Sequence, residues 1–197
     1  MPGRALIIVD FQNDFTPGGA LAVPHGDEIS QRVNELAAGS FDLVIATRDW
    51  HPPDHGSFET QGGPWPVHCV AGTPGAELDP ALERGLVDIV LDKGQDRDTE
   101  GYSGFEGTDL EQILRDRDID EVVVCGLATD YCVKNTALDA LRAGFRVLVD
   151  ERAVRGVDAE PGDSRRALGE LRGCGAQMIS FASGWRGGPR TSRAPAR

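Results

Sequence analysis

Three residues of types that perform covalent catalysis follow apolar segments of the chain. Asp10, Lys93 and Cys132 each stand at or shortly after the end of such a segment. A thiol that attacks an amide needs a group that takes its proton and returns it to the departing amine. A lysine cation nearby would favour the charged forms of a carboxylate and a thiol. Together, these residue types predict hydrolysis through a covalent intermediate on Cys132.

Each of the three residues also has an ordinary alternative role. An aspartate after a strand often caps a helix or a turn, a loop lysine is usually a solvated charge, and a lone cysteine is usually a small buried side chain. Cys132 is predicted to lie at the start of a helix, where backbone N–H groups and the helix dipole lower a thiol pKa and can hold an oxyanion. The joint occurrence at three strand ends favours catalysis.

A second group of residues has the composition of a metal site. Asp49 and His51 lie two residues apart in an extended segment, so that their side chains point to the same side, and His68 follows later. One carboxylate and two imidazoles, with positions left open, suit Zn, Fe or Mn. His55 is a further candidate ligand, whereas His25 is assigned no role. Scattered loop histidines are common, so the spacing alone is weak evidence.

The segments that must position these residues alternate between two patterns. Short apolar runs predict strands at 5–10, 41–47, 86–91, 121–125, 145–149 and 176–179. Helical spacing predicts four helices. They are one at 27–38, one that begins at a capping box formed by Thr108 and Glu111, one at 130–143 and one at 163–171. This alternation predicts an α/β protein with three α/β/α layers and an open, six-stranded, mostly parallel, Rossmann-like sheet. Ligands bind such sheets at the carboxyl ends of the strands, where the polar residues fall.

Composition narrows the class of protein further. The 197 residues are 40% hydrophobic, which fits a single domain, expected over residues 1–185. Residues 186–197, rich in Arg, Gly and Pro, are expected to be a disordered tail. A net charge of −12 argues against nucleic-acid binding. No apolar run has the length of a membrane span or a signal peptide, so we expect a cytoplasmic protein without a membrane partner.

Six segments carry motifs that resemble those of a known family. They are IVDFQNDF at 8–15, DWH at 49–51, WPVHCVAGTPGAE at 65–77, KG at 93–94, YSGF at 102–105 and GLATDYCV at 126–133. With these motifs the chain resembles the nicotinamidases and pyrazinamidases of the isochorismatase-like hydrolase superfamily from about residue 4 to residue 180. The motifs around Asp10 and Cys132 are shared across that superfamily. The metal-ligand set and the 65–77 segment are much more specific to the nicotinamidase branch.

The resemblance implies an isochorismatase-like fold and the hydrolysis of nicotinamide, and of pyrazinamide, through a cysteine thioester in NAD salvage. It also implies one divalent transition metal ion that orients the pyridine ring of the small-molecule substrate. The resemblance implies a catalytic triad of Asp10, Lys93 and Cys132, and oxyanion donors on the backbone of Ala128 and Cys132 after a cis Leu127–Ala128 peptide. It implies that Phe15, Trp65 and Tyr102 line the substrate pocket. It also implies the metal ligands Asp49, His51 and His68, with His55 a ligand in some members.

Two alternatives from other functional classes stay open on the sequence. One is an isochorismatase-type or carbamoyl-compound hydrolase with the same fold, against which the metal-ligand set argues. The other is a catalytically silent binding or regulatory member, which the intact triad disfavours. The sequence gives no indication of the native metal or of whether the protein is a monomer or a homo-oligomer.

Overall fold

The computed structural model of the chain describes residues 3–180. Its strands are β1 (Gly3–Val9), β2 (Leu43–Asp49), β3 (Ile89–Lys93), β4 (Ile119–Leu127), β5 (Arg146–Arg155) and β6 (Gln177–Ile179). Its α-helices are α1 (Ser30–Ala37), α2 (Leu110–Arg115), α3 (Lys134–Arg142) and α4 (Asp163–Gly173). A π-helical turn, Thr129–Val133, leads directly into α3. The predicted tail, residues 186–197, lies outside the described residues.

The six strands form a single sheet in the order β3-β2-β1-β4-β5-β6. Every neighbouring pair is parallel. The central strand β1 is apolar along most of its length because both of its faces are covered, as is usual in parallel sheets. The predicted six-stranded α/β class is therefore confirmed.

Alternate residues of β1 enter two separate apolar cores. Leu6 and Ile8 pack in the same cluster as Val33 of α1. Ile7 packs in the cluster that holds Ala137 of α3, together with residues of α2 and α4. One helix thus covers one face of the sheet and three helices cover the other. This arrangement gives the three predicted layers.

The direction in which successive strands are added to the sheet reverses between β1 and β4. A crevice forms at the carboxyl ends of strands at such a reversal. Gly126, near the end of β4, has a φ of 112°, and a Cβ on it would lie 2.0 Å from the carbonyl oxygen of Val9. A glycine is needed there because β1 and β4 approach so closely.

The long segment between β2 and β3 covers this edge of the sheet. Short 3₁₀ turns and isolated bridges order it, including the bridges between His51 and Val70 and between Phe58 and Trp65. It contains His51, His55, Trp65 and His68. Its ordered path brings His68 to Asp49 at the end of β2, and Trp65 into the lining of the pocket that holds Cys132.

One predicted local feature is wrong. The helix α2 begins after Asp109, and Glu111 pairs with Arg115 instead of closing a capping box. The Thr108 hydroxyl accepts the N–H of Leu110 at 3.2 Å and donates to a loop carbonyl upstream. Within residues 3–180, no helix combines the length and the apolar character that crossing a membrane requires.

Candidate active site

The ammonium of Lys93, at the end of β3, lies at the centre of the crevice and is completely buried. Its Nζ lies 2.8 Å from Oδ2 of Asp10, 2.5 Å from Oδ1 of Asp49 and 3.6 Å from Sγ of Cys132. It also donates to the carbonyl oxygen of Gly101 at 2.7 Å. Burying a charge is costly unless it is paired and hydrogen-bonded, and Lys93 has both kinds of partner.

Two glycines allow the chain to close around this ammonium. Gly94 has a φ of 64° and Gly101 a φ of 68°. A Cβ on Gly101 would lie 2.5 Å from Cα of Gly94, and a Cβ on Gly94 would lie 2.5 Å from the ring of His51. The absence of side chains therefore lets the Gly101 carbonyl reach Lys93 while His51 packs against the same backbone.

Asp10 follows β1 in a left-handed backbone conformation and is completely buried. Thr47 Oγ1 donates to Oδ1 of Asp10 at 2.7 Å, so that Oδ2 faces Lys93. Burial raises the pKa of Asp10 to about 6, against the opposing effect of Lys93 and with a further increase from Asp49. A carboxyl group of this pKa can accept a proton at neutral pH and then release it.

Cys132 lies in the π-helical turn and is almost completely buried. Burial raises the pKa of its thiol well above the usual value; Lys93 opposes this effect and the Asp10 carboxylate adds to it. The expectation that a helix start lowers the pKa of this thiol is therefore wrong. The α-helix begins only at Lys134, and desolvation outweighs the local dipole and the cation. The resting group is a thiol, which needs a base before it can attack.

The turn before Cys132 has the expected geometry. The Leu127–Ala128 peptide bond is cis. The carbonyl oxygen of Ala128 accepts the N–H groups of Tyr131 and Val133, each at 3.1 Å. Ala128 lines the same pocket as Cys132, and the role of their backbone N–H groups as oxyanion donors stays a prediction.

Three predicted metal ligands converge next to Lys93. Asp49, His51 and His68 each offer an atom within 4.8 Å of the others'. His51 Nδ1 lies 2.8 Å from the carbonyl oxygen of Gly94, and His68 Nδ1 lies 2.7 Å from that of Pro66. Since a carbonyl only accepts, each Nδ1 carries the proton and each Nε2 keeps a lone pair for a metal. Burial lowers the pKa of His68, which favours the neutral, ligating form.

His55 lies beside this group rather than within it. Its ring stacks on that of His51 with the centroids 4.1 Å apart, and its Nδ1 lies 2.7 Å from Oγ of Ser57. Its Nε2 is buried and has no hydrogen-bond partner within the described residues. Burial, together with His51, lowers the pKa of His55 to about 4. A role for His55 as a ligand remains a prediction.

The three predicted aromatic residues, Phe15, Trp65 and Tyr102, line one pocket with Cys132. Trp65 Nε1 donates to the hydroxyl oxygen of Tyr102 at 3.0 Å. Other lining residues had not been predicted from the sequence: Leu21, Val23, Ser57, Glu100, Tyr131 and Val157. Only Tyr131 carried a usable signal, because it immediately precedes Cys132. Aliphatic residues in loops look ordinary in a sequence.

Comparison with known proteins shows the family of the chain. The isochorismatase domain model matches residues 4–183. The nicotinamidase of Escherichia coli is 42% identical over 92% of this chain and 97% of its own, and the nicotinamidase/pyrazinamidase of Mycobacterium tuberculosis is 45% identical over 89% and 98%. The crystal structure of the pyrazinamidase of Pyrococcus horikoshii in complex with zinc matches this one with a TM-score of 0.81 and 48% sequence identity. The match covers 91% of this chain and 100% of the Pyrococcus chain. The chain belongs to the isochorismatase family of hydrolases.

Thr47 offers a test of the proton-accepting role of Asp10. In the parent, the hydrogen bond from Thr47 to Oδ1 lowers the pKa of Asp10. Thr47→Val keeps the shape of the side chain but removes this donor. The pKa of Asp10 should therefore rise, the acid limb of the pH–rate profile should move to higher pH, and kcat/KM for amide hydrolysis should fall about tenfold at neutral pH.

Thr47→Ser is the matched control, since it restores a hydroxyl donor and should stay within about threefold of the parent. The measurement is amide hydrolysis as a function of pH for the three proteins. A Thr47→Val profile that superimposes on that of the parent would show that this hydrogen bond does not tune Asp10.

Proposed function

We propose that this protein is a nicotinamidase, which hydrolyses nicotinamide to nicotinate and ammonia and also accepts pyrazinamide. The observation that carries the proposal is that Cys132 and the carboxylate–imidazole set line one aromatic pocket, while Lys93 contacts Cys132, Asp10 and Asp49 directly beneath it. The relatives at 42% and 45% identity, which cover nearly the whole chain, support the same substrate.

The pocket is suited to a flat heteroaromatic amide. Phe15, Trp65 and Tyr102 supply aromatic surface for the ring, and Cys132 lies in the same lining. Asp49, His51 and His68 would hold a divalent transition metal, and their donor set fits Zn, Fe or Mn. When bound, such an ion would supply a Lewis acid for the ring nitrogen of the substrate.

The first half of the reaction forms a thioester. Asp10 takes the proton of the Cys132 thiol, and the sulfur attacks the carboxamide carbon. The backbone N–H groups of Ala128 and Cys132 donate to the developing oxyanion. Asp10 then returns its proton to the departing nitrogen, the C–N bond breaks and ammonia leaves. The nicotinoyl group remains bound to the sulfur.

The second half consumes water. Asp10 accepts a proton from a water molecule that attacks the thioester carbon, the same N–H groups hold the oxyanion, and the C–S bond breaks. The proton returns from Asp10 to the sulfur, which restores the thiol. The product leaves as nicotinic acid, which releases its proton to solvent and becomes nicotinate. Asp10 thus alternates between base and acid in both halves.

Lys93 stabilises the negative charge both before and after the proton transfer. Before transfer the negative charge is on Asp10, 2.8 Å from the ammonium, and afterwards it is on the sulfur, 3.6 Å away. One buried cation therefore contacts both ends of the transfer, and the charge never moves away from its counter-ion. In a site without bulk water such pre-arranged charge lowers the barrier most effectively.

We further propose that the protein works in the cytoplasm as a step of NAD salvage. Cys69, Cys125, Cys132 and Cys174, the cysteines of the described range, are all free thiols. Unpaired cysteines fit a reducing compartment. A carbamoyl-compound hydrolase remains the alternative, and ammonia release compared across nicotinamide, pyrazinamide and carbamoyl compounds would separate the two functions.

Cys132→Ala tests the thioester directly. The variant should lose at least about a thousandfold in the rate of ammonia release from nicotinamide, because it lacks the nucleophile, yet still bind nicotinamide. Cys69→Ala, Cys125→Ala and Cys174→Ala should lose far less. Steady-state kinetics and calorimetric binding give both quantities, and substantial activity in Cys132→Ala would rule out the thioester.

The metal site predicts about one divalent transition-metal ion per chain in the purified protein. Chelation should abolish most activity, and Mn, Fe or Zn should restore it. His51→Ala should hold far less metal than the parent. The side chain of His25 is 72% exposed, and His25→Ala should hold as much metal as the parent. Elemental analysis and ammonia release are the measurements. A metal-free preparation with full activity would contradict the assignment.

A further inference from the structure

The pocket has an aliphatic wall that the proposed mechanism does not use. Leu21, Val23 and Val157 line the pocket and belong to one apolar cluster, with Val23 inside it and the other two packed against it. They come from two different loops, one after β1 and one after β5. An aliphatic surface beside a reacting amide can affect only the size and shape of what fits.

The backbone of Val157 is held by the turn that carries the nucleophile. Oδ1 of Asp130 accepts the N–H of Val157 at 3.0 Å, and Oδ2 accepts the N–H of Asp158 at 2.8 Å. The Asp130 residue is only 7% exposed, so these charge-assisted hydrogen bonds are shielded from water. Because Asp130 lies two residues before Cys132, the wall and the nucleophile are fixed to each other.

The loop is also fixed on its other side. Asp158 has a φ of 50°, and its carboxylate accepts both the N–H and the hydroxyl of Ser164 at 2.8 Å, at the start of α4. Gly156 has no room for a side chain, since a Cβ would lie 1.9 Å from Oγ of Ser164 and 2.9 Å from Oδ1 of Asp130. Val157 therefore cannot retreat without breaking hydrogen bonds on both sides.

We propose that Val157, positioned by Asp130, determines which ring substituents the pocket accepts. This inference rests on the proposed function and deepens it. A fixed aliphatic wall rejects an added alkyl group by steric overlap, and one methylene group is worth roughly 10- to 200-fold in specificity when a pocket cannot relax. Val157 thus restricts the enzyme to heteroaromatic carboxamides without alkyl groups at the ring position that meets the wall.

The test compares nicotinamide with its four ring-methylated derivatives, the 2-, 4-, 5- and 6-methylnicotinamides. Val157→Ala should raise the ratio of kcat/KM for at least one methylated amide to that for nicotinamide by about tenfold or more, because the wall recedes. Val147→Ala is the matched control. It truncates a buried valine at the opposite end of β5, outside the pocket lining, and should leave every ratio within about twofold.

Asp130→Asn tests the positioning role. An asparagine keeps one acceptor but turns an NH₂ group toward a backbone N–H, so the loop should loosen. The same ratio should rise at least about threefold, in the same direction as in Val157→Ala. An unchanged ratio in Asp130→Asn would overturn the role of Asp130. A purely structural defect would lower kcat/KM for all five amides equally and leave the ratios unchanged.

The outcomes separate this inference from the proposed function. A parent enzyme that releases no ammonia from nicotinamide would overturn the proposed function and the inference with it. If the parent is active but every ratio in Val157→Ala stays within about twofold of the parent's, the proposed function stands and the wall has no role in selection.

Discussion

The buried ammonium of Lys93 is the interaction on which the rest of the site depends. It lies between two buried carboxylates, Asp10 and Asp49, and opposes the effect of burial on the pKa of each. Removing one partner of a buried ion pair costs about 3–5 kcal/mol because the other charge is left uncompensated. The sheet order makes the arrangement available, since β1, β2 and β3 are neighbours and end side by side. The chemistry is thus a consequence of parallel strand pairing.

Asp49 connects the two halves of the site through this cation. Its Oδ1 contacts Lys93, and its Oδ2 lies 3.5 Å from Nε2 of His51. Burial acts to raise the pKa of Asp49, but Lys93 and His51 hold that pKa well below its usual range. Asp10, in contrast, has its pKa raised to about 6. Two carboxylates that share one lysine therefore have opposite pKa shifts, which suit the proposed roles of Asp49 as an ionised metal ligand and of Asp10 as a group that exchanges protons.

The sequence predicted those parts of the molecule that leave a local pattern. Apolar runs that stop at a polar residue identified the strands and the residues at their ends, including Asp10 and Lys93. Val157 left no such pattern, because its position depends on hydrogen bonds to Asp130, which is 27 residues away in the chain. The predicted lowering of the Cys132 pKa is wrong for a similar reason. Local helix geometry can be predicted from a sequence, whereas the burial that raises this pKa depends on distant segments.

Ammonia release by Lys93→Arg, with Lys134→Arg as control, tests the central role of Lys93 most directly. A guanidinium keeps the charge but is wider and planar, and so cannot take the place of a compact ammonium among four partners. Lys93→Arg should lose at least about a hundredfold in kcat/KM, roughly 2.7 kcal/mol of transition-state stabilisation. Lys134 lies on α3, 3.7 Å from Glu170 and partly exposed, and its replacement should be neutral. A Lys93→Arg enzyme within about threefold of the parent would show that any cation suffices at this position.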